Sequence, residues 1–103
     1  SMALKKAGFN KIEIANDGVE ALKKTYELRP DLVLLDLCMP NLDGFKLLDF
    51  INMKGIQTPI MFLTGSDNVE DEIKLLALGA KDYIRKPINR DLLLLRVSKA
   101  LHP

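Results

Sequence analysis

The stretch "DLVLLDLCMPNLDG", residues 31–44, decides the fold. Residues 32–35 and Leu37 form an apolar run that contains one carboxylate, Asp36, and leads into a Cys-Met-Pro turn. Apolar runs without strict alternation are typical of parallel strands that are covered on both faces. Because a carboxylate is costly to bury without a partner, we expect Asp36 at the end of this strand, beside an open edge.

Strand-like and helix-like segments alternate along the 103 residues. The predicted strands are residues 11–15, 31–37, 59–64 and 82–85. The predicted helices are residues 19–28, 45–53, 70–78 and 90–101. This alternation predicts a parallel sheet with right-handed crossovers, an α/β three-layer sandwich. The length predicts a single domain over residues 1–103.

Capping residues mark the expected ends of the helices. Asp17 followed by Glu20 is typical of a capping box, and the helix that it opens should stop before Pro30. Glycines that follow a helix favour a left-handed end. The remaining expected caps are Asp43 or Gly44, Asp67 or Asn68, and Asn89 at N-termini, and Gly55 and Gly79 at C-termini.

The composition argues against several classes of function. Fifteen basic and fourteen acidic side chains give a net charge of +1 without a basic block, so a nucleic-acid surface is not supported. The apolar runs are far shorter than a membrane span. The single cysteine, Cys38, cannot form an internal disulfide, and the expected compartment is therefore the cytoplasm.

Three residues suited to phosphoryl chemistry follow three predicted strands: Asp36, Thr64 and Lys86. The carboxyl ends of parallel strands share one edge of a sheet, where ligands bind. A carboxylate can attack phosphorus to form an acyl phosphate, and the charge on the phosphoryl oxygens then needs stabilisation. Lys86, the Thr64 hydroxyl or the Gly65 N–H, and a Mg²⁺ ion are suited to that task.

Four motifs in this order resemble the receiver domains of two-component response regulators: "NDGVEAL", "LLDLCMPNLDG", "PIMFLTG" and "GAKDYIRKP". The resemblance covers nearly the whole chain. It implies a flavodoxin-like fold with strand order 2-1-3-4-5, and Mg²⁺ as cofactor. It also implies a signalling domain that is not an enzyme beyond its own phosphorylation and dephosphorylation. Its partner would be a histidine kinase or a phosphotransfer protein.

The resemblance assigns roles to individual residues. Asp36 matches the phosphoacceptor, Lys86 the motif lysine, and Thr64 the switch hydroxyl. Tyr83 matches the aromatic residue that changes rotamer with the switch. The alternative is that Tyr83 only packs in the core, as aromatic residues in strands usually do. The bond before Pro87 is expected to be cis.

Two further positions are assigned by the same resemblance. Cys38 would offer its backbone carbonyl to a metal that Asp36 also holds. The side chains of Cys38 and Ser66 would face the water that attacks during dephosphorylation, and neither is a general base. We therefore expect no fast self-hydrolysis. The Cys38 side chain is interpreted as an incidental small residue and not as a redox sensor.

The chain departs from the family at its beginning. Receiver domains start with a strand that ends in two acidic metal ligands, and the sequence before residue 11 supplies neither. Gly8 has the position of a C-terminal helix cap, but the sequence before it is too short to contain the start of that helix. This predicts an N-terminally truncated domain. A degenerate protein and a strand borrowed from another chain are the alternatives. Weak Mg²⁺ binding and exposed strand edges that allow strand exchange are expected.

Two functions remain open from the sequence. The first is a phosphorylatable switch that alters the surface of the last two helices and the final strand, through which the domain can also form a homodimer. The second is a degenerate, phosphorylation-independent module for protein binding or dimerisation. An aspartyl phosphatase would place a second Asp where Cys38 stands, and a flavodoxin would need a hydroxyl-rich phosphate loop.

Overall fold

The computed structural model describes residues 11–37 and 42–102, with the backbone alone at residues 42 and 43. The strands are β1 (Ile12–Ala15), β2 (Leu32–Leu37), β3 (Ile60–Thr64) and β4 (Asp82–Arg85). The helices are α1 (Gly18–Leu28), α2 (Leu42–Lys54), α3 (Val69–Ala77) and α4 (Arg90–Leu101). The predicted alternation of strands and helices is therefore confirmed.

The four strands form one parallel sheet in the order β1-β2-β3-β4. In this register, Leu37 of β2 lies opposite Thr64 of β3, and Thr64 lies opposite Arg85 of β4. The carboxyl ends of β2, β3 and β4 therefore lie side by side. Ligands of open α/β sheets bind outside this edge of the sheet.

The pairing of β1 with β2 corrects one expectation. The order 2-1-3-4-5 would separate these two strands by another strand, yet Ile12 lies directly opposite Leu32 and Ala15 opposite Leu35. Direct pairing satisfies backbone groups that would otherwise be left without partners. The prediction that β1 and β2 expose the edges that face each other is therefore wrong. The predicted loss of an earlier strand concerns the chain before residue 11, outside the described residues.

The helices cover both faces of the sheet. Because each crossover between neighbouring strands runs in the same direction, α1, α2 and α3 lie on one face. The core on that face includes Val33, Leu35 and Phe62, packed against Leu47, Leu48 and Leu75 of the helices. On the other face, Val97 and Ala100 of α4 pack with Leu34, Met61 and Ile84. Within the described ranges, no helix has the length and apolar character needed to cross a membrane.

The helix ends confirm most of the predicted caps. The Asp17 side chain accepts a hydrogen bond from the Glu20 N–H at 2.7 Å. Asn89 caps α4, and Gly55 and Gly79 adopt left-handed φ angles of 67° and 107°. Helix α2 begins at Leu42, so Asp43 lies inside its first turn and the predicted cap at Asp43 or Gly44 is wrong. The residue before Leu42 lies outside the described residues.

Replacing Asn68 with alanine should lower the free energy of unfolding by about 1 kcal/mol. Asn68 caps α3, because its Oδ1 accepts hydrogen bonds from the N–H groups of Glu70 at 2.9 Å and Asp71 at 3.3 Å. Urea unfolding measures the change. The matched control is Asp67→Ala, since Asp67 is exposed and is not the cap. Equal losses for both variants would contradict this assignment.

Candidate functional site

The three residues predicted at strand ends lie at one edge of the sheet. Asp36 is the next-to-last residue of β2, and Thr64 is the last residue of β3. Lys86 directly follows the last residue of β4, and its backbone N–H donates to the Thr64 carbonyl at 2.7 Å. This bond holds the segment after β4 against the end of β3.

Asp36 and Lys86 form an ion pair between the carboxylate Oδ1 and the ammonium Nζ. Their side chains remain 34% and 36% exposed, respectively. A buried ion pair would be closed to a ligand, whereas this one is open to solvent on one side. The Lys86-Pro87 peptide bond that follows is cis. The arrangement places a carboxylate and a cation together at an accessible edge.

A second group at the same edge consists of Thr64, Ser66 and Tyr83. Thr64 is buried, and its hydroxyl accepts a hydrogen bond from the Ser66 N–H at 3.1 Å. The Tyr83 hydroxyl donates to the Ser66 carbonyl at 3.4 Å, and its ring packs in the core beneath α1, α2 and α3. Ser66 therefore connects the threonine of β3 to the tyrosine of β4.

The two groups belong to opposite faces of the sheet. Side chains alternate along a strand, so Asp36 shares the face of Leu34, which packs in the α4 core. Thr64 shares the face of Phe62, on the side of α1, α2 and α3. The predicted residues thus meet as a pair, Asp36 with Lys86, and as a hydrogen-bonded group around Ser66.

Burial raises the pKa of the Tyr83 hydroxyl above its ordinary value of 10.0, and hydrogen bonds with Ser66 and Thr64 partly oppose the shift. The folded protein therefore keeps the Tyr83 proton at pH values where the unfolded chain has lost it. Stability should fall as the pH rises from about 10 towards the higher folded-state pKa. Urea unfolding of wild type and Tyr83→Phe across alkaline pH measures this. A slope that the substitution leaves unchanged would contradict it.

The described residues supply little to a metal ion. Cys38, predicted to offer its carbonyl, lies outside the described residues. In residues 11–37 and 42–102, no cluster of three or more His, Cys, Asp or Glu side chains is placed to hold a metal. Mg²⁺ prefers several oxygen ligands, with water filling the remaining positions. Asp36 alone does not make a tight site.

Two ion pairs beside the site are not evident in the sequence. The Arg85 guanidinium pairs with Glu72 of α3 at 2.6 Å, and Arg96 of α4 pairs with Asp82 at 2.8 Å. Both therefore connect β4 to the helices beside it. The partners are separated by more than ten residues in the chain, so no local spacing indicates them.

Comparison with known proteins identifies the family. The family model described as "Response regulator receiver domain" matches residues 1–98. The chain is 38% identical over 96 residues to the transcriptional regulatory protein TrcR of Mycobacterium tuberculosis, covering 93% of this chain and 37% of that protein. It is 41% identical over 90 residues to the response regulator MprA of Mycobacterium leprae, covering 87% and 40%. The chain therefore spans less than half the length of these curated relatives.

Two solved structures with the same fold are receiver domains. The BeF3-activated receiver domain of RstA from Klebsiella pneumoniae is 30% identical, with a TM-score of 0.74 over 91% of this chain and 100% of that chain. The receiver domain of a LuxO repressor protein from Vibrio parahaemolyticus is 25% identical, with a TM-score of 0.79 over 90% of each chain. Together with the match over residues 1–98, these findings show that the chain belongs to the response regulator receiver domains of two-component signalling.

Proposed function

We propose that the protein is a phosphoacceptor receiver domain in which Asp36 takes a phosphoryl group from a histidine kinase or a phosphotransfer protein. The observation that carries this proposal is the exposed Asp36–Lys86 ion pair at the carboxyl edge of the sheet. The lysine lies where negative charge develops when the carboxylate is phosphorylated. A structural ion pair would not need to lie at this edge.

The transfer is a displacement at phosphorus. A carboxylate oxygen of Asp36 forms a new P–O bond while the P–N bond of the donor phosphohistidine breaks. The imidazole nitrogen keeps the bonding electron pair and is afterwards protonated by solvent. Lys86 moves from the carboxylate to a phosphoryl oxygen, and its charge stabilises the transition state.

The Thr64 hydroxyl is the proposed switch. In this structure it accepts a hydrogen bond from the Ser66 N–H. After the side chain turns at the end of β3 towards the face of Asp36, the hydroxyl proton can be donated to a phosphoryl oxygen there. Movement of Thr64 would alter the packing of Tyr83, which shares the contact with Ser66. Such a rearrangement is a local switch biased by new charge. The rearrangement would change the surface formed by α3, β4 and α4, which is also the proposed surface for homodimers.

Mg²⁺ is the cofactor that the family implies. Asp36 and the backbone carbonyl of Cys38 are the proposed ligands in this chain, and the ion would screen charge on the phosphoryl oxygens. Since Asp36 is the carboxylate that the described part of the edge supplies, we expect weak Mg²⁺ binding. Ser66 and Cys38 are proposed to set the access of water to the acyl phosphate.

Incubation with Mg²⁺ and a small-molecule phosphodonor tests the proposal. We expect the intact mass of the protein to increase by one phosphoryl group, and the Asp36→Asn variant to show no increase. Asp31→Asn is the matched control, because Asp31 is exposed just before the same strand and should leave labelling unchanged. Labelling that persists in Asp36→Asn would reject Asp36 as the acceptor.

A phosphorylation-independent binding module is the second candidate function. It is favoured by one observation: the described residues contain no acidic cluster around Asp36 that could hold a metal. On this alternative, neither the chain nor a longer parent protein would be labelled. If a longer parent protein were labelled and this chain were not, the phosphoacceptor function would be supported. The missing activity would then depend on residues outside this chain.

A further inference from the structure

An apolar groove lies between α1 and α2, and none of the residues of the candidate site line it. The groove has a volume of about 230 Å³ and is lined by Gly18, Val19, Leu22, Lys46, Leu47 and Phe50. We call it the α1–α2 groove. Val19 is 80% exposed, although its neighbour Leu22 packs against the core. Exposed apolar side chains around a concavity indicate a contact site for another apolar surface.

The rim of the α1–α2 groove is positively charged. Lys46 lines the groove, and the Lys54 ammonium lies 5.6 Å from the centre of the Phe50 ring. Lys23 is exposed one turn after Val19 on α1. In the part of the chain that the structure describes, neither Lys23 nor Lys46 forms an ion pair. The groove therefore suits an apolar surface that carries carboxylates.

Helix α3 of the same protein has a surface with this chemistry. Val69, Ile73 and Leu76 are 55%, 61% and 42% exposed, and their spacing places them in one row along the helix. We call this row the α3 stripe. Glu70 and Glu72 flank it on either side, and Asp67 is exposed just before the helix. The α3 stripe is thus apolar in the middle and acidic at its borders.

The two surfaces cannot meet within one molecule. Helix α2 lies on the side of α3 where the Lys74 ammonium sits 4.2 Å from the centre of the Phe45 ring. Lys74 is about 140° around the helix axis from Val69. The α3 stripe therefore faces away from α2 and from the groove beyond it. Contact between them requires two copies.

We propose that copies of this protein associate head-to-tail, with the α3 stripe of one molecule in the α1–α2 groove of the next. The apolar row fills the groove, and Glu70 and Asp67 lie near the lysines of the rim. Because the two surfaces differ, the interface is heterologous, unlike a symmetric dimer through α3, β4 and α4. A groove of this size places the association among weak, transient contacts. This association involves exposed residues of three helices and is independent of phosphorylation at Asp36.

Analytical ultracentrifugation of the full chain and two variants tests the proposal. Val19→Glu places a carboxylate in the groove, and Ile73→Asp places one in the stripe. We expect the wild type to associate at high concentration and each variant alone to associate about tenfold or more weakly. Both positions are largely exposed, so circular dichroism should show folded proteins. Added salt should weaken the wild-type association, since charges on both sides contribute.

Mixing the two variants distinguishes this arrangement from others. Each variant retains one intact surface, so an equimolar mixture should form a heterodimer with about the affinity of the wild-type interface. Leu28→Glu on α1 is the control, because Leu28 is exposed on the side of the helix opposite Val19 and should leave association unchanged. A monomeric wild type would overturn the proposal. So would a Val19→Glu variant that associates as the wild type does, which would indicate a symmetric contact through α3.

Discussion

Replacing Lys86 with alanine should slow phosphorylation of Asp36 by about 10²- to 10³-fold. The Lys86 ammonium contacts the Asp36 carboxylate directly, at the place where phosphoryl oxygens would gain negative charge. Removing the cation removes a preorganised interaction that is strongest in the transition state. The rate is measured as the increase of phosphorylated protein with time, using a small phosphodonor and saturating Mg²⁺.

Two control variants separate this effect from loss of structure or of general charge. Lys81→Ala removes an exposed lysine from the turn before β4 and should leave the rate unchanged. Lys86→Arg keeps the charge with a different shape and should recover part of the rate. Stability should change by about 1 kcal/mol or less, because the ion pair is partly exposed. A Lys86→Ala variant that is phosphorylated at the wild-type rate would contradict the proposed role.

Replacing Phe62 with alanine should lower the free energy of unfolding by about 3–5 kcal/mol. Phe62 is fully buried in the centre of β3, beneath the three helices on that face. Helix α2 packs closely on the ring, because a Cβ atom added at Gly44 would lie 2.9 Å from it. The loss is a large part of the total stability of about 5–15 kcal/mol expected of such a domain.

Urea unfolding at neutral pH measures the loss. Phe62→Leu is the matched control, since it keeps most of the apolar volume and should cost clearly less than alanine. Phe50→Ala is a second control, because Phe50 is only partly buried beside the α1–α2 groove. A loss below about 1 kcal/mol for Phe62→Ala would contradict the position of this ring in the core.

Much of the fold could be predicted from the sequence because its signals are local. Apolar runs without alternation identified β2 and β3, and Asp17, Asn68 and Asn89 were recognisable as helix caps. The direct pairing of β1 with β2 could not be predicted, because a strand carries no local mark of its neighbour. The start of α2 was also missed, since Asp43 has the chemistry of a cap but lies within the first turn.

The positions of the candidate residues in the fold could be predicted from the sequence, whereas their contacts could not. The order of strands placed Asp36, Thr64 and Lys86 at one edge, and the structure places all three there. The division into an ion pair on one face and a group around Ser66 on the other depends on side-chain direction at the strand ends. One link from Tyr83 to Thr64 runs through the backbone carbonyl and N–H of Ser66, which leave no signature in a sequence.

Peptide mapping of the phosphorylated protein tests the central claim most directly. An acyl phosphate is reduced by borohydride, and an aspartyl phosphate becomes homoserine, so the acceptor can be identified by tandem mass spectrometry. The full chain is labelled with a small phosphodonor and Mg²⁺, reduced and digested. We predict homoserine at position 36 and at no other aspartate of the chain. Labelled protein with unmodified Asp36 and homoserine at a different position would contradict the assignment of Asp36 as the phosphoacceptor.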